Sequence, residues 1–444
     1  RQATLTADRG KILDRNGLVI AEDTISYRVV AVIDPTATTS KKSIRHVADP
    51  LYTAKALAEI ISLSEDRIYE ILTQNEGQPE DKWKYQVEFG RAGRGLSYEQ
   101  KEKIVALKLP GILIVNEKKR FYPNGTFASH LIGFAQKEEE KVNGKYVEKT
   151  VGMMGIEQTY NDQLTGVNGR VEYKADLKGY LLPNSEKMVE PAQDGKNIQL
   201  TIDKTIQSFL EESMSEVAEQ YSPQSIIGIV ANPKTGEILS LSGKRRDGTK
   251  ISNETHGTIY NSYAMGSAVK GATVLTGFET GVISPGDVFL DAPITIGSTT
   301  KKSWRTMGLI NDLTALERSS NVYMFHIAMK IAGYDYSTKK GFSDPEGAYE
   351  TMRNYFAEFG LGVETGIDLP SEGTGYNGGV QRLGNLMDLA IGQFDTYTPL
   401  QLAQYISTIA NDGYRMQPHI MKEVRNSDHT SEESGEVIQA FEPN

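Results

Sequence analysis

"QSIIGIVANPKTGEILSLSG", residues 224–243, reads as two strands joined through the turn "NPKTGE". Pro233 and Gly236 punctuate that turn, and the first strand is an apolar run of the Ile- and Val-rich kind that suits a pleated, buried surface. Just upstream, "NIQLTIDKTIQSFLEESMSEVAEQY" (197–221) reads as a strand followed by an amphipathic helix. From Met265 onward helical patterns dominate, in "SAVKGATVLTGFETG", "LTALERSSNVYMFHIAMKIAG", "DPEGAYETMRNYFAEFG" and "TPLQLAQYISTIANDG". A sheet whose helices are largely segregated from it in sequence predicts an α+β fold.

The first part of the chain has a different texture. "SYRVVAVID" (26–34) is a strand ended by Asp34-Pro35, and "YTAKALAEIISLSEDRIYEILTQN" (52–75) is predicted to form two helices divided around Ser62–Ser64. "EEEKVNGKYVEKTVG" (138–152), charged around a central Asn143-Gly144, suits an exposed hairpin. "YLLPNSEKMVEPAQDGKN" (180–197), with two prolines and many polar residues, reads as a linker, and 425–436 reads as a polar loop. At 444 residues the chain exceeds one ordinary core. The expected division is an N-terminal domain over 1–195 and a second domain over 196–444.

Composition removes several function classes. A net charge of −10 argues against nucleic-acid binding, which needs Lys and Arg against phosphates. No run approaches the roughly 18 apolar residues of a membrane span. The polar opening "RQATLTADRG" leads to the expectation that an anchor or leader has been trimmed away. Without cysteine there is no disulfide and no thiol nucleophile. His46, His130, His256, His326, His419 and His429 are scattered with no pair at ligand spacing, so neither a metal nor a cofactor is expected.

Ser-x-x-Lys occurs three times, at Ser267/Lys270, Ser298/Lys301 and Ser337/Lys340. Each alone equally describes a capped helix start with a surface lysine. The first is distinguished by its surroundings in "YAMGSAVKGATV" (263–274). A helix beginning after Gly266 puts Ser267 in its first turn and Lys270 on the same face, followed by small and apolar residues that make burial plausible. Unpaired N–H groups at a helix start suit an oxyanion, and a buried lysine can act as base to a serine. The other two pairs lie in polar, lysine-doubled stretches expected to be solvated loops. Ser319-Ser320-Asn321, the only Ser-x-Asn in the chain, interrupts a helical pattern. It reads as an inter-helix loop presenting a hydroxyl and an amide. The hydroxyl could relay a proton and Asn321 could bind a substrate amide, although an ordinary turn has the same pattern.

Together these motifs resemble the Ser-x-x-Lys and Ser-x-Asn elements of penicillin-binding proteins and serine β-lactamases. The wider chain resembles the class B, monofunctional penicillin-binding proteins, with a finer likeness to the elongation-type members of Gram-positive bacteria. "RGKILDRNGLVIA" (9–21), "RFYPNGTFASHLIGF" (120–134), "GMMGIEQTYNDQLTGVNGR" (152–170), "FGLGVETGIDLPSE" and "IGQFDTYTPLQLAQYISTIANDG" carry that likeness. The resemblance implies an elongated N-terminal pedestal domain before a transpeptidase domain of serine β-lactamase-like fold, mainly antiparallel sheet with helices. It implies Ser267 as acylated nucleophile, Lys270 as its base, Ser319 as proton relay and Asn321 as donor-peptide ligand. It also implies peptidoglycan stem peptides, lipid-linked or in nascent glycan, and β-lactams as ligands, with a glycosyltransferase and other elongation proteins as partners. An N-terminal membrane anchor and an extracytoplasmic catalytic domain follow from the same likeness.

The family's third motif, Lys-Thr-Gly on an edge strand after the Ser-x-Asn, has no counterpart here. Lys234-Thr235-Gly236 precedes Ser267 and sits in a turn, so it reads as structural. The transpeptidase domain is therefore expected to lack its C-terminal part, and the 444-residue chain alone to be inactive. A β-lactam hydrolase or sensor, or a wall-synthesis scaffold with a degenerate catalytic domain, are the alternatives.

Overall fold

A computed structural model describes residues 2–38, 44–125, 127–142, 145–172, 187–427 and 435–441. The chain forms two compact units that are not contiguous in sequence. The first comprises Arg1–Lys11, Ile20–Pro123 and Thr165–Gly195, the second Ile12–Val19, Asn124–Leu164 and Lys196–Asn444.

In the first unit, the strand Val19–Val32, from Ile20 onward, pairs antiparallel with Gln86–Glu88 and with Ile112–Phe121. Two short helices cover this sheet. Pro50–Ala58 starts at an Asp49 cap with Pro50 in its first turn, and Glu65–Leu72 starts at a Ser64 cap, where the sequence divides the two helices. Their inner faces, Ala54, Leu57, Ile68, Ile71 and Leu72, pack with Val29, Ala31 and Val87 of the sheet and with Phe89 just past it. Strand Lys187–Glu190 pairs with Gly169–Glu172, and Val167 bridges Gln193. Residues 187–195 of the expected linker are thus tied into this unit, while 196 and 197 belong to the second; its residues 180–186 lie outside the described ones.

The second unit contains the "NPKTGE" hairpin. Strand β1 (Asn197–Leu200) leads into helix α1 (Lys204–Tyr221), started by an Asp203 cap. Strands β2 (Ser225–Ala231), β3 (Ile238–Asp247) and β4 (Lys250–Asn253) then form an antiparallel sheet in that order. Buried Gln207 of α1 docks the helix on β3, exchanging hydrogen bonds with Ser240 and with both backbone groups of Leu241. Charged residues 138–152 supply the strands Ala135–Val142 and Lys145–Gly152, paired as a hairpin whose Asn-Gly turn lies outside the described residues.

Helix α2 (Lys270–Glu279) follows a 3-10 turn over Gly266–Val269. The helical stretch expected next is broken by short strands: β5 (Val288–Asp291), β6 (Ile294–Ile296), β7 (Thr299–Lys301) and β8 (Gly308–Asn311). They pair as β5 with β8 and β6 with β7, in runs too short to show an alternating pattern. Helices α3 (Asp312–Glu317), α4 (Asn321–Ile331), α5 (Pro345–Glu358), α6 (Leu383–Leu389) and α7 (Pro399–Ala410) complete the helical part. Strands β9 (Met421–Arg425) and β10 (Val437–Ala440) pair with each other, and β9 also with β1. Between β9 and β10 the expected polar loop lies mostly outside the described residues.

Helix α4 is the centre of this core. Val322, Tyr323, Met324, Phe325, Ile327, Ala328 and Met329 are all buried, so the helix is apolar nearly all round and enclosed by its neighbours. Its first residue, Asn321, therefore stands on a rigid support.

Candidate active site

Ser267 lies in the 3-10 turn and Lys270 opens α2. In a 3-10 turn residues three apart eclipse, so the two side chains share one side, as a helix would also have arranged them. The turn begins at Gly266 with φ of 56°, in the left-handed region. It is pinned by Gly392, whose carbonyl accepts from Gly266 N at 2.9 Å; a Cβ on Gly392 would come within 2.3 Å of Gly266 O. Tyr263 and Tyr397 exchange both backbone hydrogen bonds, at 2.9 Å each. At the other end, a Cβ on Gly271 would meet Tyr405 Oη at 2.5 Å, which explains the glycine directly after Lys270. The segment 391–405 thus builds the floor under Ser267.

Lys270 is 2% exposed. Its Nζ donates to Ser319 O at 2.9 Å, to Ser319 Oγ at 3.0 Å and to Asn321 Oδ1 at 2.7 Å. The three acceptors are neutral, so they satisfy the ammonium without matching its charge. Burial pushes the Lys270 pKa down to about 8, against the opposing negative charge of Asp291. Holding the ammonium charged at neutral pH costs about 3 kcal/mol. Ser267 is exposed, and neither its Oγ nor its N–H has a hydrogen-bond partner among the described residues. In this arrangement Lys270 is bonded to Ser319 and Asn321 rather than to Ser267.

The Ser-x-Asn stretch differs from a simple loop. Ser320 is the N-cap of α4, its Oγ accepting from Tyr323 N, and Asn321 is already helical. Ser319 turns the chain with φ of 56°, a left-handed conformation costly for a residue with a Cβ. That strain aims both its carbonyl and its hydroxyl at Lys270.

Sequence reasoning passed over two residues, Ser303 and Asp291. Ser303 Oγ accepts from Asn321 N at 3.0 Å and Val322 N at 3.2 Å, and Asn321 Nδ2 donates to Lys302 O at 3.4 Å. Asp291 accepts from both Ser303 and Ser320. Ser303 directly follows the second Ser-x-x-Lys pair. In that pair Ser298 is exposed in the β6–β7 turn, but Lys301 is not solvated as expected: it is ion-paired with Asp388 at 2.6 Å. Ser337 folds back on Asp335 in a surface turn beside exposed Lys340. Lys234-Thr235-Gly236 occupies the β2–β3 turn, with Gly236 at φ of 79° and Lys234 exposed.

Among the described residues, β2 is an edge strand, paired only with β3. Beside it runs a groove of 570 Å³ lined by Ile227, Ile229, Met265, Leu402 and Ile406, reaching to within two residues of Ser267. No cluster of three His, Asp or Glu able to hold a metal, and no helix long and apolar enough to cross a membrane, occurs among the described residues.

The family profile of the penicillin-binding protein transpeptidase domain matches residues 226–441, and that of the penicillin-binding protein dimerisation domain matches 4–200. Penicillin-binding protein 2A of Bacillus subtilis is 39% identical over 359 residues, 76% of this chain and 50% of that protein. Penicillin-binding protein 2B of Streptococcus pneumoniae is 35% identical over 338 residues, 72% of this chain and 49% of that protein. The chain spans about half the length of these curated relatives. A solved structure of penicillin-binding protein 2B from S. pneumoniae strain 5204 superposes with a TM-score of 0.69 at 28% identity, covering 100% of this chain and 84% of that one. With both domains matched in order and a two-unit fold shared with these proteins, the chain belongs to the class B penicillin-binding proteins.

Proposed function

We propose that this chain carries the nucleophile, base and proton relay of a peptidoglycan D,D-transpeptidase that β-lactams acylate. The supporting observation is the buried Lys270 ammonium, held at 2.7–3.0 Å by Ser319 and Asn321, one turn from an exposed serine whose Oγ and N–H have no partner among the described residues. Neutral Lys270 takes the Ser267 proton as Oγ attacks the carbonyl carbon of the penultimate D-alanine. The oxyanion meets the Ser267 N–H. Collapse breaks the C–N bond, and the proton passes from Lys270 through Ser319 Oγ to the departing D-alanine nitrogen. An amine of a neighbouring stem then attacks the ester, forming the cross-link and restoring Ser267. Asn321 holds the donor peptide. A β-lactam undergoes the first step only, its ring amide opening on Ser267.

In this reading the β2 edge, unpaired on its outer side among the described residues, is the place where a strand carrying a carboxylate-binding lysine and a second oxyanion donor would pair. Residues 1–195 act as a pedestal for 196–444. The protein works outside the cytoplasmic membrane beside a glycosyltransferase and other elongation proteins.

The test is labelling by a fluorescent penicillin. The full gene product takes up one label, mapped to Ser267 and lost in a folded Ser267→Ala variant, whereas the 444-residue chain alone labels far more slowly. Failure of the full gene product to label overturns the function. Stoichiometric labelling of the chain alone overturns the need for the third motif. Rapid turnover of the penicillin makes it a hydrolase instead.

A further inference from the structure

Asp291, the last residue of β5, is 1% exposed. The hydroxyls of Ser303 and Ser320 both donate to its Oδ2, at 2.7 and 2.5 Å, while Oδ1 has no hydrogen-bond partner among the described residues. Each serine oxygen in turn accepts from the first turn of α4. Ser303 Oγ takes the N–H groups of Asn321 and Val322, and Ser320 Oγ takes that of Tyr323 at 3.0 Å. Three of the four N–H groups that a helix start leaves unpaired are therefore led through two hydroxyls to one carboxylate. A hydroxyl that donates to a carboxylate is a stronger acceptor, because linked hydrogen bonds polarise one another. Of the residues locked this way, Asn321 itself holds Lys270, and Ser320 directly follows Ser319, which supplies the other two acceptors.

We propose that Asp291 is a positioning residue of this site, fixing through Ser303 and Ser320 the helix start from which Ser319 and Asn321 hold Lys270. The inference rests on the reading of Lys270 as base. Burial and Asp291 act on Lys270 in opposite directions, the first disfavouring the ammonium and the second favouring it. His326 of α4 also feels Asp291, but its own burial disfavours a charge there, and Lys330 acts on His326 in the same sense. Removing the Asp291 charge leaves the burial of Lys270 unopposed.

Asp291→Asn removes the charge and keeps an acceptor oxygen; Ser303→Ala keeps the charge and cuts one link. In the 444-residue chain labelled with ¹³C at the lysine ε-carbons, the Lys270 resonance, assigned by its loss in Lys270→Arg, reports its titration without any acylation. Asp291→Asn is expected to move that midpoint down by about half a pH unit. In the full gene product the acid limb of β-lactam acylation moves with it, and the plateau rate falls about tenfold as the loop loosens. Ser303→Ala is expected to lower the plateau rate about tenfold and leave the midpoint in place. A wild-type acylation plateau in folded Asp291→Asn or in Ser303→Ala overturns the inference. Should Asp291→Asn fail to fold, Ser303→Ala alone decides. Should the wild-type gene product not be acylated, the proposed function falls, while the NMR titration still decides whether Asp291 acts on Lys270.

Discussion

Ser267–Lys270 and Ser298–Lys301 share one pattern in two settings. In the first, a glycine-led 3-10 turn runs into a helix, and the lysine is buried against a carbonyl, a hydroxyl and an amide. In the second, the serine sits in a hairpin turn and the lysine is matched by a carboxylate, Asp388. A lysine surrounded by neutral acceptors bears a desolvation cost that favours losing its proton; one facing a carboxylate has its charge answered in place. The motif becomes chemistry through what the lysine's partners are, more than through the spacing.

The largest test of this contrast exchanges the serines. In the full gene product, Ser267→Ala is expected to lower acylation about 10⁴-fold, and Ser298→Ala to leave it within about twofold. Next come the lysines. Lys270→Arg keeps a cation that cannot act as base, and acylation is expected to fall about 10³-fold, whereas Lys301→Arg retains its ion pair and changes little. Gly392→Ala tests the floor of the first site. With φ of 70° and a Cβ 2.3 Å from Gly266 O, it displaces the turn before Ser267, with an expected loss of about 100-fold measured by stopped-flow acylation.

Two smaller effects are read in stability. The folded-state pKa of Lys270, about 8, lies below its ordinary 10.5, so its charge opposes folding below pH 8 and that penalty is relieved as pH rises towards 10.5. Against Lys270→Met, the wild type is therefore expected to gain about 3 kcal/mol across that window in urea titrations. Smallest is Lys301→Met, which breaks a half-screened pair and is expected to cost about 1 kcal/mol, seen as a lower Tm at unchanged acylation.

Much of the frame was legible because local chemistry agrees with the fold. The 224–243 hairpin, the Asp203-capped helix and the Ser64 division all rest on neighbours in sequence. Ser267 and Lys270 were legible because a glycine precedes them and small residues follow. Ser303, Asp291 and Gly392 were not, since each acts on residues 12 or more positions away, and "DVFLDAP" or "KKSWR" contains nothing that singles them out. The placement of 12–19 and 124–164 with the second unit has the same cause: it is decided by distant pairing, such as Ile12–Leu13 beside β1. The short strands between α2 and α3 were hidden by their length.

The left-handed backbone at Ser319 narrows how this site can evolve. A hydroxyl is wanted there, but threonine, the other small hydroxyl side chain, is β-branched and meets a steric barrier at φ of 56°. Glycine, the residue best suited to that backbone, brings no hydroxyl. Substitution at this position therefore has no cheap single step that keeps both the hydroxyl and the backbone. Variation would instead accumulate in the residues around the loop, where geometry can drift while the hydroxyl stays.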